Sequence, residues 1–505
     1  MTELDAAVRE TSTKPRRHRR ARRSKSYQIA EEFKDKLPQA KIWPALIWSL
    51  VLSLVSVANP YLTFLATNLQ TQNLYAGMAM MSGQHPYGDF FATNGILFYL
   101  MSLIGHIGGS FIVFGFLQFI ALVIAGVYFY KIMVYFSQSE RLATSSSHWF
   151  YIFIASLGFG GLYAEVFVLP FVLASLWFLV RYFANAVGDE AFILYGIEAA
   201  LAFLIYPQSL LLWLLAGFIL FVFNTQQRQM ARGFYQLLAS IFGLLLILYS
   251  VGYYAFEAEI LGTAIQQTLI YNLRLEFLPT EGVTTLAMFS AFLLFSGFLK
   301  NIFQTLLSIG RGGNNYFKVL ILLIFLTQSI FIIGTPNFQW SQLLLLLPFG
   351  FIMAVLPMQD SSEEDKEDGY LGRQFFLPVV VALGIVIQPA YTYLVQGDLL
   401  AERTDIARYI RENSDSNDKI FTWDNSASIY LSSRRLSSAS IVATEPFLIT
   451  DENQRSLIFD LNRNEASFIV VNKGIPLSDE LASNLELQYK QVKSYDHFVI
   501  YQKNE

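Results

Sequence analysis

Long apolar runs separated by short polar segments fill most of the chain between Ile42 and Val395. About 20 apolar residues cross the hydrocarbon core of a bilayer as a helix, so each long run predicts one transmembrane helix. The pattern predicts an α-helical polytopic membrane protein with about 11 transmembrane helices. The predicted spans are Ile42–Ala66, Phe111–Tyr135, His148–Gly160, Tyr163–Phe183, Phe192–Tyr206, Ser209–Asn224, Tyr235–Phe256, Thr284–Phe298, Phe317–Gly334, Trp340–Pro357 and Phe375–Val395.

The loops between these runs indicate how the chain is oriented. A basic run from Lys14 to Lys25 precedes the first span, and the segments TQQRQMARG and Lys300 to Lys318 are also basic. Basic loops stay on the cytoplasmic side, so we expect a cytoplasmic N-terminus in the cytoplasmic membrane. An odd number of spans then places the C-terminus outside. The basic run could also be a nucleic-acid arm, but no nucleic-acid-binding module accompanies it, and contact with the lipid bilayer is the favoured interpretation.

This orientation divides the chain into three parts. Residues 1–41 are a basic cytoplasmic segment, residues 42–396 a transmembrane domain, and residues 397–505 an extracytoplasmic domain. In the last part, TDIARYIREN and DELASNLELQY have helical periodicity, whereas KIFTWD, SFIVVN and FVIYQK are typical of strands. Helices alternating with strands predict a small α/β domain.

Composition restricts the chemistry. Hydrophobic residues make up 54% of the sequence and charged residues only 15%, against about 25% charged residues in soluble domains. The chain has no cysteine and only five histidines, so a thiolate metal site is impossible and a zinc centre is not indicated. We assign no metal ligands, and a requirement for a divalent metal is left open.

A polar loop between the first two spans, residues 67–105, is the predicted active-site loop, and its apolar end, Gly95 to Gly105, is expected to stay on the outer side. Two carboxylates stand out on this side: Asp89 in HPYGDFF, with His85 nearby, and Glu165 in GLYAEVF. An ionisable residue at the membrane is expensive to bury unless it is used or paired. Asp89 could instead cap a helix or lie in solvent, and Glu165 could be a buried structural partner.

A second outer segment, between the spans that end at Phe256 and begin at Thr284, carries Tyr271 and Arg274. A forked, charge-assisted contact from an arginine there suits a phosphate. Snorkelling of the same side chain to lipid headgroups is the alternative.

The stretch LYAGMAMMSGQHPYGDFFATNGILFYLMSLIG, following one span and a basic N-terminus, resembles the outer loop of the GT-C-fold glycosyltransferases that use polyprenyl-phosphate sugars. The resemblance is to the bacterial relatives of protein mannosyltransferases and aminoarabinose transferases. The positions of the family motif are occupied in this sequence by Gly83, Pro86, Tyr87, Asp89 and the start of the helix at Asn94. The GLYAE segment resembles the acidic start of a later span in that family, which gives Glu165 the second acidic role.

The resemblance implies transfer of a monosaccharide from a polyprenyl-phosphate-linked sugar to a cell-envelope acceptor, a wall polysaccharide or teichoic-type polymer, with inversion. Asp89 or Glu165 would be the catalytic base. The substrate-binding residues it implies are His85, Tyr87, Asn94, Tyr271, Arg274, Gln339 and Trp340.

The chain departs from the family pattern in two places. Residues 68–73, NLQTQN, carry amides where the family commonly has an acid, and residues 337–340, NFQW, stand where a His-Tyr pair is frequent. The first departure keeps a second class of function open, a non-catalytic assembly subunit or transporter of lipid-linked glycans. A transporter would show internal repeats or polar residues along the central spans, and the sequence shows neither. An O-antigen-type ligase or polymerase usually carries key arginines in a long outer loop late in the chain, a pattern that Arg274 matches only weakly.

Overall fold

The computed structural model of the protein describes residues 41–275, 279–335, 338–360, 368–444, 451–477 and 479–504. The basic run from Lys14 to Lys25 and Asn337 lie outside the described residues. Within them, helices form a bundle from Ile42 to Val395, and a five-stranded sheet with flanking helices follows. This confirms the predicted fold class.

Apolar residues on most faces favour burial in lipid or in the bundle, and the helices follow the apolar runs. The helices before residue 260 are α1 (Ile42–Leu54), α2 (Asn68–Met81), α3 (Ile96–Gly105), α4 (Ile112–Ser137), α5 (Glu140–Leu157), α6 (Ala164–Phe183), α7 (Ala191–Ile205), α8 (Leu211–Gln226) and α9 (Met230–Glu257). The later helices of the bundle are α10 (Leu261–Ile265), α11 (Tyr271–Leu273), α12 (Pro279–Phe295), α13 (Phe298–Leu307), α14 (Asn315–Gly334), α15 (Leu347–Val355), α16 (Tyr370–Arg373), α17 (Pro378–Ala382) and α18 (Gly384–Val395). Shorter turns join them: 3₁₀ turns at Thr63–Leu65, Pro207–Leu210, Trp340–Leu346 and Leu356–Asp360, and a π turn at Gln266–Ile270.

Every predicted span contains a helix, but the helices differ in length. By length and composition, seven described helices can cross a membrane, or eight if the bent pair Gly282–Phe295 and Phe298–Leu307 is one span. The pair is bent by 72°, so the predicted span Thr284–Phe298 ends at this bend. Helices α1 and α7 are apolar but shorter, and α5 begins with the polar stretch ERLATSSSH. The number of crossings therefore stays a prediction.

Two helices of the bundle approach each other closely at positions occupied by glycine. Helices α7 and α9 cross at Gly196 and Gly243, where an added Cβ would lie 1.9 Å from the Ser240 carbonyl oxygen and 2.1 Å from that of Ile193. Small residues of this kind let membrane helices approach closely enough for good van der Waals packing. Substitution of either glycine would force these two helices apart.

Loops predicted on one side of the membrane contact one another in the structure. At one end, an ion pair joins the start of α1 to α5, a second joins the α6–α7 loop to α9, and α16 contacts α5. These contacts are Lys41 Nζ with Glu140 Oε2 (2.9 Å), Arg232 Nε with Asp189 Oδ1 (2.8 Å), and Tyr370 N with Ser145 Oγ (3.1 Å). The segments at residues 67–95, 159–165 and 261–275 meet at the other end, which we call the cap end because the C-terminal domain lies there.

The C-terminal domain is an α/β unit built around a mixed sheet of order β2-β1-β3-β5-β4. Strand β1 pairs in parallel with β2 and β3, and β5 pairs antiparallel with β3 and β4. The strands are β1 (Lys419–Trp423), β2 (Leu436–Ser437), β3 (Phe468–Asn472), β4 (Tyr489–Ser494) and β5 (Phe498–Lys503), and the helices are α19 (Gly397–Glu412), α20 (Ser428–Ser433), α21 (Asp451–Arg463) and α22 (Asp479–Gln488). The prediction extended the helix DELASNLELQY to Tyr489, whereas the observed helix ends at Gln488. The edge strand β4, which was not predicted, begins at Tyr489.

Direct hydrogen bonds seat this domain on α2 and on the loop after it. The Thr71 hydroxyl lies 3.1 Å from that of Ser426, and the Tyr75 hydroxyl accepts from the Ser437 backbone N–H at 2.9 Å. The Phe91 N–H donates to the Ser440 carbonyl at 2.9 Å. The predicted active-site loop therefore lies between the helix bundle and the α/β domain.

Candidate functional site

A cavity opens at the cap end, between α2, the start of α6, the short helix α11, and the α/β domain. Its empty volume is about 1360 Å³, including the space at its mouth. The polar lining consists mainly of carboxamides: Asn68, Gln72, Asn73, Asn94, Gln208, Asn272, Gln339 and Gln342. Aromatic rings form much of the remainder: Tyr75, Phe90, Phe91, Tyr99, Tyr206 and Tyr271. Carboxamides both donate and accept hydrogen bonds, so this lining suits a ligand with many hydroxyl groups.

Glu165 is the carboxylate of this cavity within the described residues. It lies in the first turn of α6, where the helix dipole favours a negative charge, and only 4% of the residue is exposed. The Ser341 hydroxyl donates to its Oε1 over 3.4 Å, a long hydrogen bond. A buried carboxylate that accepts only a long hydrogen bond from another side chain has oxygen lone pairs available for a ligand.

The turn before α6 determines where Glu165 points. Gly160, Gly161 and Leu162 all have positive φ, of 78°, 67° and 59°. Leu162 is a γ-branched residue in the left-handed region, which is costly unless surrounding contacts hold it there. The Leu162 N–H donates to Gln118 Oε1 at 2.6 Å, and the residue is fully buried.

The amides that replace the expected acid of the first loop hold this turn. Gln70 Nε2 donates to the carbonyls of Phe159 and Gly161, both at 2.7 Å, and Asn73 Nδ2 donates to the carbonyl of Leu162 at 3.1 Å. A carboxylate at either position could not donate these bonds. The departure from the family pattern in residues 68–73 therefore has a structural reason, because an amide here fixes the turn that carries Glu165.

Asp89 lies outside the lining of the cavity, in an exposed turn. Its Oδ2 accepts from the His85 N–H at 2.6 Å, and its own N–H donates to the His85 carbonyl at 2.9 Å. Asp89 therefore closes a solvent-exposed turn and does not cap a helix, because α3 begins at Ile96 with Gly95 as its N-cap. His85 is also exposed, and its Nδ1 lies 3.1 Å from the Tyr254 hydroxyl, away from the cavity.

Tyr87 and Asn94 are brought together, but only Asn94 lines the cavity. Tyr87 has a φ of 68°, is buried, and donates from its hydroxyl to the Asn94 carbonyl at 2.7 Å. The Asn94 N–H donates to the Tyr99 hydroxyl at 3.1 Å. Burial raises the pKa of Tyr87, which keeps the phenol neutral and able to donate. Tyr87 thus positions the loop around Asn94.

The segment with Tyr271 and Arg274 covers one side of the cavity, and both residues line it. Two hydrogen bonds attach this segment to the active-site loop: Asn272 Nδ2 donates to the Thr93 carbonyl at 2.8 Å, and the Ala92 N–H donates to Gln267 Oε1 at 2.9 Å. Arg274 follows the end of α11 and is exposed. It supplies the guanidinium of the lining.

Gln339 lines the cavity and Trp340 does not. Gln339 precedes the 3₁₀ turn Trp340–Leu346 and forms a reciprocal cap with Gln342, which also lines the cavity. The Trp340 ring packs edge-on against Phe338, with centroids 5.1 Å apart, and 40% of the residue is exposed.

The described residues contain no group of three or more His, Cys, Asp or Glu side chains that could hold a metal ion. The cavity lining supplies one carboxylate, whereas a hard divalent cation in proteins is usually held by several oxygen ligands. The residues present therefore do not fit a protein-held metal centre, and no step below depends on one.

Sequence reasoning did not identify Asn68, Gln72, Gln208 and Asn272 as lining residues. Their common feature is an amide next to the end of an apolar run, as in NLQTQN and in YPQS at residues 206–209. Such amides are frequent in loops, so this signal alone does not distinguish a lining residue from a solvated one.

These elements define the GT-C fold of membrane glycosyltransferases. ArnT from Cupriavidus metallidurans bound to undecaprenyl phosphate is similar over 90% of this chain and 97% of that chain, with a TM-score of 0.59 and 11% sequence identity. The Archaeoglobus fulgidus oligosaccharyltransferase in complex with Zn and sulfate matches at a TM-score of 0.48 and 12% identity, over 85% of this chain and 68% of that chain. The match to the Cupriavidus metallidurans ArnT structure confirms the fold implied by the sequence resemblance.

The family follows from two matches to the sequence itself. Residues 30–397 match the "Putative competence-induced protein Ccs4 N-terminal domain" and residues 400–504 match the "Putative competence-induced protein Ccs4 C-terminal domain". The chain belongs to this competence-induced Ccs4 family. A search of curated proteins finds no match.

Proposed function

We propose that this protein is a membrane glycosyltransferase that moves a monosaccharide from a polyprenyl-phosphate carrier to a cell-envelope acceptor. The observation that carries the proposal is the position of Glu165, a buried carboxylate in an amide-lined and aromatic cavity at one end of an apolar bundle. The similarity to ArnT bound to undecaprenyl phosphate supports a polyprenyl-phosphate donor.

The lining suits the two halves of such a donor. Carboxamides such as Asn68 and Gln72 can donate to and accept from sugar hydroxyls, and neither side chain forms a hydrogen bond with the described residues. Arg274 would hold the phosphate by a charge-assisted contact, and the bundle would hold the prenyl chain among apolar side chains.

Glu165 is the residue we assign as base. As the acceptor hydroxyl attacks the anomeric carbon, its proton passes to the Glu165 carboxylate and the new C–O bond forms. The bond between the anomeric carbon and the phosphate oxygen breaks on the opposite face, which inverts the configuration, and the electron pair leaves with the polyprenyl phosphate. Arg274 stabilises the charge of this leaving phosphate.

The proposed orientation follows from the distribution of basic loops. The end with Lys41, Arg232 and Lys300 would face the cytoplasm, and the cap end with the α/β domain would face outward. Transfer then occurs on the outer face of the membrane. A wall polysaccharide or a teichoic-type polymer is the acceptor we propose.

A non-catalytic assembly subunit that binds a lipid-linked glycan is the second candidate. The observation that favours it is the use of Gln70 and Asn73 as structural donors in the stretch where the GT-C glycosyltransferases that the sequence resembles commonly have an acid. Such a protein would keep the cavity and need no base.

The two candidates are separated by a complementation experiment in a deletion strain, with the monosaccharide composition of purified envelope polymers as the readout. Glu165→Gln keeps the size of the side chain and removes the base. Glu198→Gln is the matched control, because Glu198 is a carboxylate of α7 that contacts Ser175 at 3.3 Å and does not line the cavity. Loss of one sugar with Glu165→Gln, and recovery with Glu198→Gln at equal protein levels, supports transfer. Full recovery with both variants favours the assembly subunit.

A further inference from the structure

A second cavity lies beside the first, and the two share no lining residue. It is enclosed by the C-terminal part of α2, by the loop between α3 and α4, and by the α/β domain. We call it the rim cavity. Its empty volume is about 1180 Å³ including the open mouth, and Met78, His106, Phe111, Asn417, Asp418 and Arg434 are among its lining residues.

Arg434 occupies a position where the backbone favours glycine. It follows α20 in the left-handed conformation, with φ 57° and ψ 42°. Glycine is the usual residue at this point of a helix end, and a side chain there costs free energy. The exposed guanidinium forms no hydrogen bond or ion pair with the described residues. Local structure therefore gives no reason for an arginine here, whereas a ligand in the rim cavity would.

The other polar groups of the rim cavity show what kind of ligand would fit. One carboxylate oxygen of Asp418 accepts a hydrogen bond from the Asp415 N–H at 2.9 Å, and Asp418 forms no ion pair with Arg434. The cavity thus presents a separate cation and anion, with the amide of Asn417 beside them. A phosphate that also carries hydroxyl donors satisfies both charges, the phosphate on Arg434 and the hydroxyl on Asp418.

His106 adds a further unsatisfied polar atom. Its Nδ1 is buried without a hydrogen-bond partner in the part of the chain that the structure describes. Burial, and then the nearby charge of Arg434, lower the pKa of His106. The imidazole is therefore neutral near pH 7 and leaves Arg434 as the cation of the cavity.

The position of the rim cavity indicates a ligand that comes from the bilayer. Its wall includes Phe111, directly before the membrane-crossing helix α4, and the neighbouring side chains of Ile104, Ile107 and Ile112 are 45%, 54% and 60% exposed. Apolar side chains this exposed at the start of a span face lipid. The polar cavity thus opens at the boundary between acyl chains and headgroups.

We propose that the rim cavity binds the headgroup of a bilayer phospholipid that carries both a phosphate and hydroxyl donors, held by Arg434 and Asp418. This lipid occupies a site separate from the donor cavity and ties the α/β domain to the membrane surface.

The test is native mass spectrometry of the purified full-length protein titrated with phosphatidylglycerol, and with phosphatidylcholine as a headgroup without hydroxyl donors. Arg434→Gly is the informative variant, because glycine suits the left-handed backbone while the guanidinium is lost. We expect about tenfold weaker phosphatidylglycerol binding, from the loss of one charge-assisted contact, together with an unchanged or higher melting temperature. Arg408→Ala, which removes an exposed arginine of α19 outside the cavity, is the matched control.

Each outcome bears on the proposal. Weaker binding in Arg434→Gly alone, with little change for phosphatidylcholine, supports it, and Arg434→Lys should recover most of the affinity. Equal phosphatidylglycerol binding by Arg434→Gly and Arg408→Ala overturns it. Inorganic phosphate at equal concentration should fail to displace the lipid, and full displacement would show that the site takes a free anion and overturn its assignment to a lipid.

Discussion

Asp89 lies in a loop and Glu165 in the first turn of α6 at the same end of the molecule, yet their surroundings differ in burial and hydrogen bonding. Asp89 is exposed, and its carboxylate closes a turn with the His85 N–H at 2.6 Å. Glu165 is buried, faces a cavity, and accepts only a long hydrogen bond of 3.4 Å from another side chain, that of Ser341. A family motif therefore identifies a loop, whereas burial and hydrogen bonding identify the carboxylate that a substrate can reach.

The largest effect is expected from Glu165→Gln. If Glu165 takes the proton of the acceptor hydroxyl, the rate of sugar transfer should fall about 10²-fold or more, the usual contribution of a general base. The measurement is transfer of radiolabelled sugar from a polyprenyl-phosphate donor by purified protein in bilayer discs. Donor binding should stay within about twofold, because the substitution leaves the amides of the cavity in place.

A Glu165→Gln variant that transfers sugar at the wild-type rate would contradict the assignment of Glu165 as the base. Equal melting temperatures of variant and wild type are the control, because a misfolded protein would also be inactive.

Arg274→Ala should have the second largest effect. Loss of a charge-assisted contact to phosphate costs about 1.5–3 kcal/mol, which is about 10- to 100-fold in kcat/KM. Arg274→Lys should recover only part of the activity, since an ammonium cannot form the forked contact. An alanine variant that changes salt sensitivity but not kcat/KM would indicate that Arg274 contacts lipid headgroups instead.

The sequence predicted the apolar helices of the bundle, because apolar runs are local signals. It did not predict helix α2 (Asn68–Met81), which lies within the predicted active-site loop. It did not predict which carboxylate lines the cavity. That depends on the left-handed turn at Gly160, Gly161 and Leu162 and on side chains about 90 residues away, Gln70 and Asn73. Strand β4 was also missed, because YKQVKS is an exposed edge strand without apolar alternation.

Gln70→Ala tests this long-range support of Glu165 and should have an intermediate effect. Two part-buried carbonyls lose their donor, which should lower the free energy of unfolding by about 1–3 kcal/mol and reduce transfer several-fold as the turn relaxes.

Gln70→Glu distinguishes an acid in the first loop from an amide that supports the turn before α6. It places an acid within residues 68–73, the stretch where the GT-C glycosyltransferases that the sequence resembles commonly carry one, but an ionised carboxylate cannot donate to the two carbonyls. We expect it to resemble Gln70→Ala in transfer assays and in thermal unfolding. Higher activity in Gln70→Glu than in wild type would mean that the first loop, and not the turn before α6, is the place for a base.

The smallest effect is expected from Asp89→Asn. The asparagine oxygen can still accept from the His85 N–H, and the side chain faces solvent, so transfer should stay within about twofold of wild type and thermal stability should change little. Asp89→Ala removes the acceptor and should destabilise the turn by about 1 kcal/mol without a specific loss of catalysis. The same radiolabel assay, with Glu165→Gln alongside, measures the contrast directly. A loss of about 10²-fold in Asp89→Asn at unchanged stability would reverse the assignment, since it would require the loop at Asp89 to turn into the cavity when substrate binds.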